Sequence, residues 1–213
     1  MFHYSAIGNI EGQWMKMGHA DCGVFGGWPY LAYQYIQKTG GLQTWEDYWY
    51  CCGLGGAKGT CEVCPAPGYN TSLCGPSIPY CNMTQSCVTK LDKKKFVSGL
   101  NVVGWKAIDQ NETVIASQLM ELGPLSVALD ATLLQFYHHG VFEPFLCNPK
   151  NLDHAVLLVG FGQEKELFET KYYWKVKNSW GHKWGEKGYF RIKRGAGMCG
   201  INTQVTTSVL QKT

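Results

Sequence analysis

The sequence contains no uninterrupted apolar run that approaches the roughly 18 residues needed by a membrane-spanning helix. Charged residues are also few, at 16% of the chain, and the formal net charge is only +3. So small an excess of positive charge does not indicate nucleic-acid binding, and Lys93–Lys95 is interpreted as a solvated surface turn. The N-terminal Met-Phe-His-Tyr-Ser-Ala has neither the basic start nor the long apolar stretch of a signal peptide. The sequence therefore predicts neither a membrane nor a nucleic acid as a partner.

Cysteine, by contrast, is abundant. The ten cysteines form an even set in a chain of 213 residues, and six of them lie between residues 51 and 81. Three Asn-X-Ser/Thr sequons accompany them, at Asn70, Asn82 and Asn111. Cysteines and sequons together indicate passage through an oxidising secretory route. Because this N-terminus lacks the targeting signal for such a route, we expect the chain to be incomplete.

Apolar periodicity predicts an α+β protein whose first part is helical and whose last part is mainly β. With 45% apolar residues, the chain can bury one sizeable core or two half-domains. Helices are predicted over residues 4–15 and 28–38, and a third begins after Asn111 and ends at Gly123-Pro124. Short strands are predicted at Leu125–Leu129, His154–Gly162, Tyr172–Lys177 and Gly188–Arg194.

Residues 51–87 interrupt this pattern. They are rich in Gly, Pro and Cys, and we predict an insertion held by cross-links rather than by a core. The domain organisation expected is one incomplete domain over residues 1–213. Its helical half occupies 1–50 and its mainly β half occupies 88–213.

Two polar side chains stand at the ends of neighbouring apolar segments. His154 opens the apolar run that ends at Gly160, and Asn178 opens Asn178-Ser179-Trp180-Gly181. A carboxamide that accepts an imidazole N–H is how a cysteine peptidase orients its general base. A lone histidine is more often a buried, satisfied side chain, but an Asn and a Trp placed just after a strand favour the catalytic interpretation.

An ordered set of motifs supports the same interpretation. They are Ser5-Ala6-Ile7-Gly8-Asn9-Ile10-Glu11-Gly12-Gln13-Trp14, Gly26-Gly27-Trp28-Pro29-Tyr30, Gly123-Pro124-Leu125-Ser126-Val127-Ala128, Asp153-His154-Ala155-Val156, Asn178-Ser179-Trp180-Gly181 and Cys199-Gly200-Ile201-Asn202-Thr203. In this order they resemble the papain family of cysteine peptidases, nearest to its cathepsin F and cathepsin L-like branches. The resemblance implies a papain-like fold, with a helical left half, an antiparallel, barrel-like β right half and an active-site cleft between them.

The resemblance also assigns roles. His154 is the general base, and Asn178 accepts its N–H. Trp180 shields that hydrogen bond from water, which strengthens it in the lowered local dielectric. Trp184 either lines the leaving-group side of the cleft or covers the core.

Substrate contacts are implied on both sides of the expected cleft. Gly26 and Gly27 match the backbone edge that pairs with an extended peptide, an approach that the lack of a side chain permits. The pocket for the substrate side chain next but one to the cut is walled by Pro29, Ala155 and Gln204. Asp153, beside the base, belongs to the same substrate-binding set.

The expected nucleophile is missing. Where the family has Cys-Trp-Ala-Phe-Ser at a helix N-terminus, this chain has Met1-Phe2-His3-Tyr4-Ser5, and a thioether cannot become a thiolate. The upstream Gln that donates to the oxyanion is also absent, and losing such a donor typically costs about 10²–10³ in rate. A stretch before Asp21-Cys22 is missing too, so we expect a partly deleted helical half. Cys22 has a suitable spacing to His154 but follows the helix that it should start, and we interpret it as a structural half-cystine.

By the same resemblance, Cys147 pairs with Cys199 and Cys22 with Cys87. The six cysteines of the insertion allow fifteen pairings, which stay open. A zinc site on four of those six is the alternative, which a Pro-rich, sequon-bearing loop disfavours. No metal site is therefore expected, and no organic cofactor is implied.

Three functional hypotheses follow. The first is a lysosomal or secreted cysteine endopeptidase whose chain, lacking its nucleophile, is inactive as written. It implies a monomer that binds peptide or protein substrates and cystatin-like inhibitors. The second is a non-catalytic peptide-binding homologue, and the third is a Cys-rich secreted interaction protein.

Overall fold

A computed structural model describes residues 28–44, 46–47 and 92–211 of the chain. The chain divides into two compact units, one of residues 1–105 with 208–213 and the other of residues 106–207. The predicted helix over 4–15 and the predicted insertion at 51–87 lie outside the described residues. The predicted boundaries at residues 50 and 87 also lie outside the described residues and stay predictions.

Helix α1, Pro29–Thr39, organises the described part of the first unit. Proline at its first position has the backbone angle that a helix start requires, and Gly40 ends it in a left-handed conformation with φ of 90°. One face of α1, with Tyr35 and Ile36 at its centre, packs with Val102 into a small apolar cluster. The predicted helix over 28–38 is thus confirmed.

Helix α2, Glu112–Leu122, belongs to the second unit. The Asn111 side chain caps it by accepting a 2.9 Å hydrogen bond from the Thr113 amide. Gly123, with φ of 82°, ends the helix before Pro124. The start and stop predicted from the sequence are both confirmed.

Seven strands form one sheet in the order β1-β7-β2-β4-β5-β6-β3. Their bounds are β1 Val102–Ala107, β2 Leu125–Leu129, β3 Val141–Phe142, β4 His154–Lys165, β5 Thr170–Lys177, β6 Tyr189–Lys193 and β7 Val205–Leu210. The four predicted strands correspond to β2, β4, β5 and β6, and these four pair with one another antiparallel in that order. The pairing of β3 with β6 is parallel, which the expectation of an antiparallel sheet did not include.

The alternation of side chains between the two faces of β4 is interrupted halfway along the strand. The β4–β5 register shifts between Leu158 and Gly160, so that one extra residue bulges from β4. Before the bulge Leu158 lies opposite Val176 in the core, and after it Phe161 lies opposite Trp174. The β4–β5 hairpin then extends to a solvent-exposed tip at Leu167 and Phe168.

The core of the second unit lies where helix α2 covers the sheet. Its largest fully buried side chains include Trp174, Phe190, Ile115 and Leu129. Neither helix among the described residues is long and apolar enough to cross a membrane.

Candidate active site

His154 is the first residue of β4, and its backbone is fixed on both sides. It lies opposite Leu129 of β2, and the preceding Asp153 amide donates to the Leu129 carbonyl at 3.2 Å. The Asp153 carboxylate in turn accepts a 2.8 Å hydrogen bond from the Ala131 amide. The imidazole therefore projects from a strand end that is pinned to the neighbouring strand and loop.

Asn178 follows the last residue of β5 and is buried, with 6% of its surface exposed. Its backbone amide donates to the Gly188 carbonyl at 2.9 Å. His154 Nε2 lies 2.8 Å from Asn178 Oδ1, and the Ser179 amide donates to the same atom at 2.7 Å. Because the Ser179 N–H needs an acceptor, this atom is the amide oxygen, and His154 must donate through Nε2. The neutral ring then keeps its other nitrogen, Nδ1, as the atom that accepts a proton.

One indole stacks on the histidine of this hydrogen bond, and a second indole supports the first. The Trp180 ring stacks on the His154 ring with centroids 5.0 Å apart and planes 26° from parallel. The Trp184 ring meets Trp180 edge-on at 5.0 Å. Trp184 also contacts Phe190, a core residue, at 5.9 Å. Trp184 thus packs on the core and supports Trp180 with the same ring.

An ionic network lies behind the tryptophans and was not predicted from the sequence. Arg191 donates to both oxygens of Glu186, with Nε 3.1 and 3.0 Å from them. Burial alone would raise the pKa of Glu186, but hydrogen bonds from Arg191 and from the Gly140 amide outweigh it and hold that pKa below its usual value. Burial raises the pKa of the neighbouring Tyr137 to about 12, so its hydroxyl stays a donor. In the sequence, this ion pair is visible only as the pattern Glu-X-X-X-X-Arg. That pattern is also common among solvated surface residues, so it does not indicate a buried pair.

The other predicted site residues belong to separate elements or lie outside the described residues. Ala155 is half-buried opposite Ala128 on β2, and Gln204 is exposed in the turn before β7. Pro29 is the half-buried first residue of α1. The predicted nucleophile position, Met1, lies outside the described residues, as do Gly26, Gly27, Asn70 and Asn82. The substrate-binding assignments therefore stay predictions.

The second unit contains the Cys147–Cys199 disulfide that the resemblance to the papain family implies, with Cα atoms 5.2 Å apart. It lies beside Asp130, whose amide donates to the Cys199 carbonyl and whose carboxylate accepts from the Asn148 amide. Cys22 and Cys87 lie outside the described residues. Within the described ranges, no cluster of His, Cys, Asp and Glu could hold a metal ion.

The sequence profile of the papain family cysteine proteases matches residues 2–209. The chain belongs to this family. It is 34% identical to mouse (Mus musculus) cathepsin F over 224 aligned positions, covering 97% of this chain and 40% of that protein. Cysteine proteinase 1 of Dictyostelium discoideum is 35% identical over 233 positions, covering 97% of this chain and 58% of the relative. The papain-family chain thus spans about half the length of these relatives.

Solved structures give the same result. Digestive procathepsin L 3 of the Tenebrio molitor larval midgut superposes with a TM-score of 0.67 at 26% sequence identity, covering 98% of this chain and 63% of that chain. Procathepsin L2 from the same source gives 0.66 at 26% identity, covering 98% of this chain and 61% of the other. The α+β, papain-like fold predicted from the sequence is confirmed.

Proposed function

We propose that the second unit carries the proton-transfer half of a cysteine-peptidase active site. The observation that carries this proposal is the 2.8 Å contact between His154 Nε2 and Asn178 Oδ1 beneath the Trp180 ring. It fixes the tautomer and plane of an imidazole that projects from a strand end. The Trp180 ring that covers this contact is 40% exposed, so the histidine lies near the surface, where a substrate could reach it.

The chemistry that follows is acyl transfer. His154 Nδ1 takes the thiol proton of a cysteine, giving a thiolate and an imidazolium whose Nε2–H stays on Asn178. The thiolate attacks a peptide carbonyl, and the imidazolium returns the proton to the leaving amine as the C–N bond breaks. Water then hydrolyses the thioester with His154 again as the base.

The thiol position of this scheme is matched by Met1 in this chain. We therefore propose that the chain as written does not hydrolyse peptides, although the family to which it belongs is one of peptidases. Retention of peptide binding without cleavage is the second candidate function.

Thiol-directed labelling tests both candidates. The chain as written is expected to form no covalent adduct with a peptidyl epoxide, because a thioether is not an activated nucleophile. Met1→Cys, expressed behind a cleavable fusion partner, is expected to form an adduct at residue 1, located by peptide mass spectrometry. The adduct should disappear in Met1→Cys/His154→Ala, which lacks the base.

The controls separate the outcomes. Met1→Ser is handled in the same way and should remain unlabelled. A labelled Cys22 in the parent chain would show that the nucleophile had been assigned to the wrong position. A Met1→Cys variant that has the parent near-UV circular dichroism but forms no adduct would contradict the catalytic assignment and leave peptide binding.

We further propose a lysosomal or secreted route, with peptides or proteins as substrates and cystatin-like proteins as inhibitors. The Cys147–Cys199 disulfide and the sequons support an oxidising compartment. At Asn111 the geometry adds to this support. The residue is exposed, and its Oδ1 is used by the Thr113 amide, so that Nδ2, the atom that carries a glycan, is left out of that hydrogen bond.

A glycan at Asn111 is therefore expected when the chain is secreted from eukaryotic cells behind an added signal peptide. The measurement is the mass lost at the Asn111 peptide on treatment with an N-glycosidase. Thr113→Ala should abolish the glycan while keeping the backbone amide that Asn111 caps. Asn111→Gln removes both glycan and cap, so a comparison of the two variants separates the glycan from helix stability. An unmodified Asn111 in the secreted parent would contradict the proposal.

A further inference from the structure

The segment between Asn178 and β6 carries both tryptophans of the site and is held in a tight, glycine-dependent path. The Gly188 amide donates to the Trp184 carbonyl at 2.8 Å, and Glu186 exchanges backbone hydrogen bonds with Tyr189. Gly185 has φ of 53°, and a Cβ there would lie 2.6 Å from the Tyr189 carbonyl oxygen. The backbone path thus fixes the position from which the Glu186 side chain points back toward β6.

Glu186 and Arg191 close this segment with a bidentate pair. Besides the two contacts from Nε, an Arg191 terminal nitrogen donates to Glu186 at 2.9 Å. The pair is largely sheltered, with side-chain exposures of 27% for Glu186 and 19% for Arg191. The other terminal nitrogen of Arg191 reaches the more exposed Glu164 at 2.7 Å. A fork-shaped contact of this kind fixes orientation as well as distance.

Tyr137 connects the pair to the aromatic side chains. Its hydroxyl donates to the Gly140 carbonyl at 2.8 Å and accepts from the Arg191 amide at 3.2 Å. The Gly140 amide donates to Glu186 at 3.0 Å, so hydroxyl and carboxylate hold the same loop residue. The Tyr137 ring then contacts the Trp184 ring, with centroids 5.7 Å apart.

Contacts therefore connect the ion pair to the histidine, the first of them through the Gly140 backbone and the rest between side chains. Glu186 holds Tyr137 through Gly140, Tyr137 packs on Trp184, and Trp184 meets Trp180 edge-on. Trp180 stacks on His154. Because Trp180 is the most exposed member of this series, its position depends on what supports it from behind.

We propose that Glu186 and Arg191 are positioning residues of this site, which hold Trp184 in place and thereby keep Trp180 stacked on His154. The catalytic meaning of this arrangement rests on the proposed function. The arrangement itself is independent of any nucleophile and can be measured without peptidase activity.

The test is the proton NMR signal of the His154 ring in ¹³C-histidine-labelled chain. A stacked indole shields ring protons, and Trp180→Ala gives the reference for the unstacked ring, while His154→Ala assigns the signal. Glu186→Gln is expected to move the His154 signal most of the way to the Trp180→Ala position. Glu164→Gln, which removes the other carboxylate on Arg191, is the matched control and should leave the signal in place.

Two results would overturn the proposal. One is a folded Glu186→Gln variant whose melting temperature falls while its His154 signal keeps the parent position, which would reveal a purely structural ion pair. The other is an equal shift in Glu164→Gln. If Glu186→Gln does not fold, the same NMR measurement is made on Tyr137→Phe. This variant keeps the aromatic ring that packs on Trp184 and removes only the hydroxyl. That variant should shift the signal in the same direction, and an unshifted signal would again overturn the proposal.

Failure of this proposal is distinguishable from failure of the proposed function. An unlabelled Met1→Cys variant leaves the His154 signal and its response to Glu186→Gln unchanged. An unmoved signal in Glu186→Gln, conversely, says nothing against labelling of Met1→Cys.

Discussion

Replacing both Cys147 and Cys199 by serine is expected to lower the free energy of unfolding by about 4 kcal/mol. The disulfide closes a loop with a sequence separation of 52 residues, and a cross-link of that span restricts the unfolded chain by about this amount. This loss is large compared with the total free energy of unfolding of a typical domain, which is roughly 5–15 kcal/mol. It bears on the site because the loop from Cys147 leads directly into Asp153 and His154. Urea unfolding under oxidising conditions, followed by tryptophan fluorescence, measures it.

The comparison needs a control for the side-chain change itself. Ser126 and Thr207 show that small hydroxyl side chains are accommodated in this core, so serine is a suitable replacement. Each single variant leaves one unpaired thiol and should lose about as much stability as the double variant, because either one opens the same loop. If the free energy of unfolding of the double variant lies within about 1 kcal/mol of that of the parent, the denatured chain gains little conformational freedom when this loop is opened, and the prediction is wrong.

Glu112→Ala is expected to cost about 2–4 kcal/mol of stability, although Glu112 is at the start of a surface helix. Its carboxylate accepts from the Trp174 indole at 2.7 Å and from the amides of Gly195 and Gly197 at 2.7 and 2.6 Å. Trp174 is almost fully buried, with 1% of its surface exposed, so its N–H cannot turn to water when the acceptor is removed. A buried donor left unpaired costs about 1–3 kcal/mol, and the two amides and the favourable charge at a helix N-terminus add to this.

Glu121→Ala, at the other end of the same helix, is the matched control. Glu121 makes an exposed side-chain contact with Gln118, and its removal should change stability by less than about 0.5 kcal/mol. Glu112→Gln keeps one acceptor oxygen, so its loss of stability should lie between those of Glu112→Ala and Glu121→Ala. Thermal and urea unfolding of the three variants provide the measurement. Equal effects of Glu112→Ala and Glu121→Ala would contradict the role assigned to Glu112.

Much of the fold was predictable because its signals are local. Pro29, Asn111 and the Gly123-Pro124 pair each act within one turn of a helix, so both described helices could be placed from them. Strand β2 is buried along its whole length, and such a short apolar run is a clear signal. Strands β1 and β7 were missed for the opposite reason. β1 buries only Val102 and contains Gly104, and β7 buries only its first half.

The site was predictable only in part, for a related reason. His154 is the first residue of β4 and Asn178 directly follows the last residue of β5, and both strand ends could be placed from the sequence. The network behind them joins residues from three separate segments. Tyr137 and Arg191 are 54 residues apart, and Glu186 meets Gly140 across 46. No periodicity brings such residues together, because their contact depends on the parallel pairing of β3 with β6, which no local pattern indicates.

The bulge in β4 has a practical consequence for work with this protein. Beyond it the β4–β5 hairpin continues as a two-stranded arm of about 20 Å, taking six residues at roughly 3.3 Å each. Its tip residues, Leu167 and Phe168, are 87% and 94% exposed. A dye, affinity tag or surface anchor attached there would be separated from His154 by the whole arm and by a break in strand regularity. The hairpin tip is therefore the place to immobilise or label the molecule while the histidine end of the same strand is left undisturbed.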